Sequence, residues 1–374
     1  MVPPPHRSDA SGYRRPSGSD SDASGYRRPS GSDEPSVPTP AIRVPLSVRR
    51  ERTPGGTALD GFDQQDAASI ARVGWRDIIY RVTGIDVGPS KESAYEAGLR
   101  DRVRTSVGGA FPIAVLNLKG GVGKTAVVEA LGSTFAEARD DRIIAVDIDA
   151  GDLVDRHGRR SPLSMADLVS DNAVTRYMDV RAHTYMNSCG LEVLGLPEYA
   201  HTNWRLGRAD VVKAFSILRK HYSLVLVDCV KALNSSVMEA VLPESQALVV
   251  VSGTSIDAIR KTRTTLEWLS NNGYRKLIGS TVLAINHVQP TKLETVAGKE
   301  LEQLSAHVAA TVVLPFDRHL HEGKAIGLDK LSKDSRRRYL ELAAALADMF
   351  PSRARQPETA HDLGRGVGAR SPSR

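Results

Sequence analysis

Ile113-Ala114-Val115-Leu116-Asn117-Leu118-Lys119-Gly120-Gly121-Val122-Gly123-Lys124-Thr125 is the stretch whose reading decides the fold. An apolar run enters a glycine-rich turn, Gly123-Lys124-Thr125 closes it, and a helical pattern follows over 125–137. That order gives a buried strand, a phosphate-sized loop and a helix N-terminus. Glycine lets backbone N–H groups converge on an anion with no Cβ in the way, and the helix dipole adds positive charge there. The cradle is Gly120, Gly121, Val122, Gly123 and Ala126. Lys124 is expected on the β- and γ-phosphates of a nucleotide, with the Thr125 hydroxyl on Mg²⁺.

Beyond this loop, apolar runs alternate with helical patterns, the signature of a parallel sheet covered on both faces. Strands are expected over 113–118, 143–148, 191–196, 224–228, 247–252, 277–286 and 311–314. Helices are expected over 125–137, 208–220, 255–270, 294–306 and 334–349. The fold class is therefore α/β: a P-loop NTPase with a mostly parallel central sheet flanked by helices on both faces. Two earlier helices are expected, an amphipathic one over 67–82 around Trp75 and a short one over 92–104.

Acids recur where such a sheet places ligands, at the C-terminal ends of its strands. Asp147 and Asp149 end one apolar run, and Leu224-Val225-Leu226-Val227-Asp228 is a second run closed by a carboxylate. About 100 residues after a phosphate loop, that carboxylate reads as a Mg²⁺ holder acting through water. Asn286 ends a further strand and offers the donor and acceptor that an adenine edge requires. Cys229 has no histidine paired with it in sequence and reads as a small core residue.

The loop departs from G-x-x-x-x-G-K-[ST], because its first glycine falls on Leu118 and a second lysine, Lys119, stands inside it. Lys-Gly-Gly-Val-Gly-Lys-Thr resembles the deviant Walker A of the ParA/MinD family of dimeric ATPases. The phrases at 75–84, 102–109, 131–136, 264–274 and 315–323 resemble members associated with type VII (ESX) secretion loci. The resemblance implies that Lys119 reaches a partner protomer's ATP. It also implies that Asp147 contacts the Mg²⁺ shell and Asp149 orients the attacking water. Pro315 and Asp317 would then pack beside the base. Many relatives carry threonine where Ala126 stands, often asparagine where Asp149 stands, and Thr/Ser-Pro or Ser-Gly where Cys229-Val230-Lys231 follows Asp228.

The ends of the chain differ from its middle. Residues 1–57 are Pro/Ser/Gly/Arg-rich, and SDASGYRRPSGSD occurs twice in tandem, over 8–20 and 21–33. One Tyr per repeat cannot bury a hydrophobic face, so this arm is expected to be disordered. Residues 58–110 are expected to be a helical extension packing on an ATPase domain of 111–350, with a disordered basic tail over 351–374. Nine Arg against six acids in 1–57, and five against two in 351–374, account for the whole net charge of +6. The basic excess therefore belongs to the tails.

Two cysteines make neither a disulfide framework nor a metal cluster, and no run is long and apolar enough to span a membrane. A cytoplasmic protein is expected. The leading expectation is a Mg-ATP-binding, ATP-hydrolysing homodimer that regulates or positions a partner, a secretion-apparatus protein by the resemblance. The alternatives are a nucleotide-sensing scaffold with little turnover, and a DNA partition ATPase using Arg336-Arg337-Arg338.

Overall fold

Strand β1 (Phe111–Leu116) is buried at every position, because its alternate side chains feed two different cores. Phe111, Ile113 and Val115 face one, and Ala114 and Leu116 face the other. A sheet covered on both faces asks for such an unbroken apolar run rather than an alternating one. The computed structural model describes residues 89–149, 152–198, 202–291 and 293–351. The arm with its repeats, the helix expected over 67–82 and the tail beyond 351 lie outside the described residues.

Helix α1 (Pro89–Val103) precedes β1, and α2 (Lys124–Ala138) follows the loop. Next come β2 (Ile143–Asp147), α3 (Asp152–Asp155), α4 (Met165–Ser170), α5 (Tyr177–Arg181), β3 (Tyr185–Met186) and β4 (Glu192–Leu194). The middle holds α6 (Arg208–Leu218), β5 (Leu224–Asp228), α7 (Ser236–Glu244), β6 (Ala247–Ser252) and α8 (Ile256–Asn271). The rest is α9 (Arg275–Gly279), β7 (Thr281–Asn286), α10 (Thr295–Ser305), β8 (Ala310–Leu314), α11 (Arg318–His321) and α12 (Lys333–Ala347).

The sheet runs β3-β4-β2-β5-β1-β6-β7-β8, with β1 inside it and, among the described residues, only the β3–β4 pair antiparallel. Register places Asp147 directly beside Asp228, and Val115 beside Asp228 on the other side. Among the described residues, no helix is long and apolar enough to cross a membrane.

Three details correct the sequence reading. The strand expected over 277–286 starts only at Thr281, because Gly273 turns the chain at φ 88° and α9 forms before it. The Thr281 hydroxyl then donates to the Leu277 carbonyl at 2.7 Å, closing that turn. The edge strand β3 and helix α7 were not expected at all. Helix α1 lies along α12, with Leu99 and Val103 buried and Arg102 on Asp348 at 2.5 Å.

Candidate functional site

The loop between β1 and α2 is held from both sides. On its entry side, the buried Asn117 amide donates to the Val251 carbonyl and, at 3.0 Å, to the Thr262 hydroxyl of α8. The Asn117 Oδ1 in turn accepts the Lys119 N–H at 2.9 Å. On its exit side, Asn286 Nδ2 donates to the Val122 carbonyl at 2.9 Å. Gly121 and Gly123 have φ of 77° and 88°, a region that side chains with a Cβ avoid. A Cβ on Gly123 would also collide with the Asn286 amide.

Behind the loop lies a cleft of about 700 Å³, within the size range of small-molecule sites. Gly121, Val122, Gly123, Lys124, Thr125 and Ala126 line it, together with Asp149, Asn286, Pro315 and Asp317. The acids converge as their register requires. The Thr125 hydroxyl donates to Asp228 Oδ2 at 2.6 Å, and Lys124 Nζ pairs with Asp149 at 3.3 Å. Asp147 accepts the Asp149 and Leu153 N–H groups at 3.2 and 2.8 Å, so it shapes the turn as well as facing Asp228.

Burial, and then the neighbouring Asp147, push the Asp228 carboxyl up to about 7, against the pull of Lys124 and the Thr125 hydroxyl. Asp228 Oδ1 is buried and has no hydrogen-bond partner among the described residues. An orphaned carboxylate oxygen beside a threonine hydroxyl fits Mg²⁺, which favours one or two carboxylates completed by phosphates and water. No group of three or more His, Cys, Asp or Glu closes around an ion among the described residues. The donor set therefore suits an ion that arrives with a nucleotide.

The Asp228 carboxyl has a measurable consequence for stability. Between its unfolded value of 3.8 and about 7, the folded chain keeps a proton that the unfolded chain releases, so raising the pH weakens the fold. Asp228→Asn removes this titration. Without nucleotide or Mg²⁺, it is expected to melt about 5 °C or more above wild type at pH 8. The gap should narrow towards pH 5, as scanning calorimetry can check.

At the other end, one Asn286 N–H is committed to the loop. Asp317 caps α11 by accepting the His319 N–H at 2.9 Å and also accepts the Ser332 N–H at 2.9 Å. Burial alone would raise its carboxyl, but donors from Ser332, Ser335 and His319 outweigh burial and hold it below the usual range. Asp317 therefore shapes the wall beside Pro315 and Phe316. Lys119 does not line the cleft; its ammonium pairs with Asp257 in the first turn of α8. Lys231, Arg156 and Tyr339 line it too and were not singled out from sequence. Of these only Lys231, three residues after Asp228, carried a signal.

Residues 113–347 match the CobQ/CobB/MinD/ParA nucleotide binding domain. The chain belongs to that family. It is 40% identical over 292 residues to the ESX-1 secretion-associated protein EspI of Mycobacterium tuberculosis, strains CDC 1551 and H37Rv. The match covers 77% of this chain and 44% of EspI, so the chain spans less than half the length of the curated relatives it matches. The fold is similar to a ParA family ATPase from Chlorobium tepidum TLS, with TM-score 0.53, 18% identity, and 63% and 98% of the two chains covered. It is also similar to the Pyrococcus furiosus cell division ATPase MinD, with TM-score 0.51, 20% identity, and 64% and 99% covered.

Proposed function

We propose that this chain is a Mg-ATP-dependent dimerising ATPase that switches a protein partner of a type VII secretion apparatus. The observation that carries the reading is the split between the two loop lysines. Lys124 lies in its own cleft, while Lys119 is turned out of it onto Asp257. A lysine inside a phosphate loop but outside its own cleft supports a role on another protomer's phosphates. The likeness to a protein named for ESX-1 secretion supports the choice of partner.

The proposal gives each residue a role. Gly120, Gly121, Val122, Gly123 and Ala126 offer backbone to the phosphates, and Asn286 and Pro315 border the base. Thr125, Asp228 and Asp147 would hold Mg²⁺, which when bound neutralises charge on the phosphates. A phosphate that draws Lys124 away from Asp149 frees that carboxylate to accept a proton from water. Binding and readiness for hydrolysis are thereby linked. Light scattering of the full chain with Mg-ATP and with Mg-ADP tests the reading. A dimer with ATP alone, together with phosphate release, is expected; a mass that ignores nucleotide overturns it.

A second reading, a scaffold with little turnover, is favoured by Cys229-Val230-Lys231, where the family resemblance implies other residues. Dimerisation without phosphate release, even with partner present, would select it. The DNA reading has less support: of its three arginines, Arg337 pairs with Glu92 and Asp334 and the buried Arg338 with Asp334 and Glu341, while Arg336 is exposed. A cytoplasmic location accords with the switch.

A further inference from the structure

Three lysines surround the phosphate loop, and two are committed. Lys124 pairs with Asp149 and Lys119 with Asp257. The third, Lys231, has no carboxylate or hydrogen-bond partner among the described residues and lines the cleft. It rides on a short bridge between β5 and α7 that is anchored at both ends. Cys229 is fully buried and donates its N–H to the Val115 carbonyl at 3.1 Å. Leu233 is buried as well, and the Ser235 hydroxyl caps α7.

This bridge lays the lysine across the front of the loop. A Cβ on Gly120 would lie 3.4 Å from Lys231 Cε and 3.5 Å from its Nζ. Those are ordinary contact distances, so the ammonium lies directly against the backbone that would cradle phosphate.

Sheet order tells which phosphate it meets. Strands β2 and β5 lie on one side of β1 and bring Asp147, Asp149 and Asp228; β7, on the other side, brings Asn286. The cleft thus has an acid end at Asp149, beside Asp147 and Asp228, and an opposite end at Asn286. Lys231 follows β5, so it stands at the acid end, where the nucleotide reading puts the last phosphate.

We propose that Lys231 binds the terminal phosphate of a nucleoside triphosphate within its own protomer and so separates triphosphate from diphosphate before any partner closes. Its recruitment breaks no ion pair, whereas Lys119 and Lys124 must each leave a carboxylate. The departure from the family pattern after Asp228 then supplies a phosphate ligand in place of a small residue.

The assignment rests on the nucleotide reading above, and calorimetry of the full chain separates the two. The titrants are the non-hydrolysable ATP analogue AMPPNP and ADP, each with Mg²⁺. Lys231→Met is expected to weaken AMPPNP about tenfold and ADP less than about threefold, the scale of one charge-assisted contact. Lys231→Arg should keep most of the AMPPNP affinity. Unchanged AMPPNP binding by Lys231→Met overturns the proposal, as does an equal loss for both nucleotides. Wild-type chain that binds neither nucleotide overturns the reading beneath it instead.

Discussion

Lys119→Ala is expected to bind Mg-ATP nearly as wild type does, yet to form no ATP-dependent dimer and to lose about 10³-fold or more in turnover. The separation follows from where the side chain points. Its ammonium is on Asp257 and outside the cleft lining, so truncation removes no phosphate contact within the protomer. The loop conformation should survive as well, because it is the Lys119 N–H that bonds Asn117, and alanine keeps it. A charge delivered across an interface acts only once two protomers close, as an arginine finger does. Asp149→Ala supplies the contrast: on the role proposed for Asp149, the variant should dimerise with ATP and stay closed, since no carboxylate is left there to act on water. Light scattering and phosphate release read both variants. Lys119→Ala protein that dimerises with ATP as wild type does would falsify the trans role.

The ion pair that holds Lys119 is no obstacle to this exchange. Both partners are exposed, and solvent screening leaves such pairs weak. The hydrogen bond from Lys119 keeps the Asp257 carboxyl below the usual range, but its strength is screened by solvent. A phosphate carrying about two charges outcompetes one solvated carboxylate. Asp257 therefore parks the lysine without trapping it. Helix α8 also holds the Asn117 amide through Thr262, so the lysine's release and the loop's footing share one helix.

The central strands and the loop were legible in the sequence because one physical constraint wrote each of them. Ile113, Val115, Leu226 and Val249 must be apolar on a doubly covered sheet, and glycine is required where φ is positive at 121 and 123. Asp147 and Asp228 were legible as strand-end acids, and register then made them neighbours. What escaped was decided by tertiary contact. Helix α7 has a Ser235 cap and buried Val237, Met238, Val241 and Leu242, a signal obscured by Pro243 in its last turn. The two-residue β3 is too short to carry any period. Asp317 reads from sequence only as a strand-end acid beside Pro315; its cap on α11 and its Ser332 contact come from residues on other elements, which no local pattern shows. Tyr339 reaches the cleft wall from a helix near the end of the described chain, and no local pattern marks that.

Lys124→Ala should lower the affinity for Mg-AMPPNP by about tenfold or more at pH 7, and by two separable routes. The first is the lost phosphate contact, made by a buried ammonium that water screens poorly. The second acts on Asp228, the carboxylate proposed to hold Mg²⁺. Lys124 is one of the groups that pull the Asp228 carboxyl down towards about 7; without it, burial and Asp147 push that carboxyl higher. At neutral pH the variant then holds a protonated Asp228, whose oxygen no longer attracts Mg²⁺. Raising the pH reverses the second loss and leaves the first. The ratio of wild-type to variant affinity should therefore shrink between pH 7 and pH 9 without reaching one. Calorimetry at the two pH values, with the Asp228→Asn chain alongside, checks this. In that background the pH dependence of the Lys124 effect should vanish, because the carboxyl through which it acts is gone. Equal affinity of wild type and Lys124→Ala at pH 7 would remove the phosphate loop, and with it the nucleotide site.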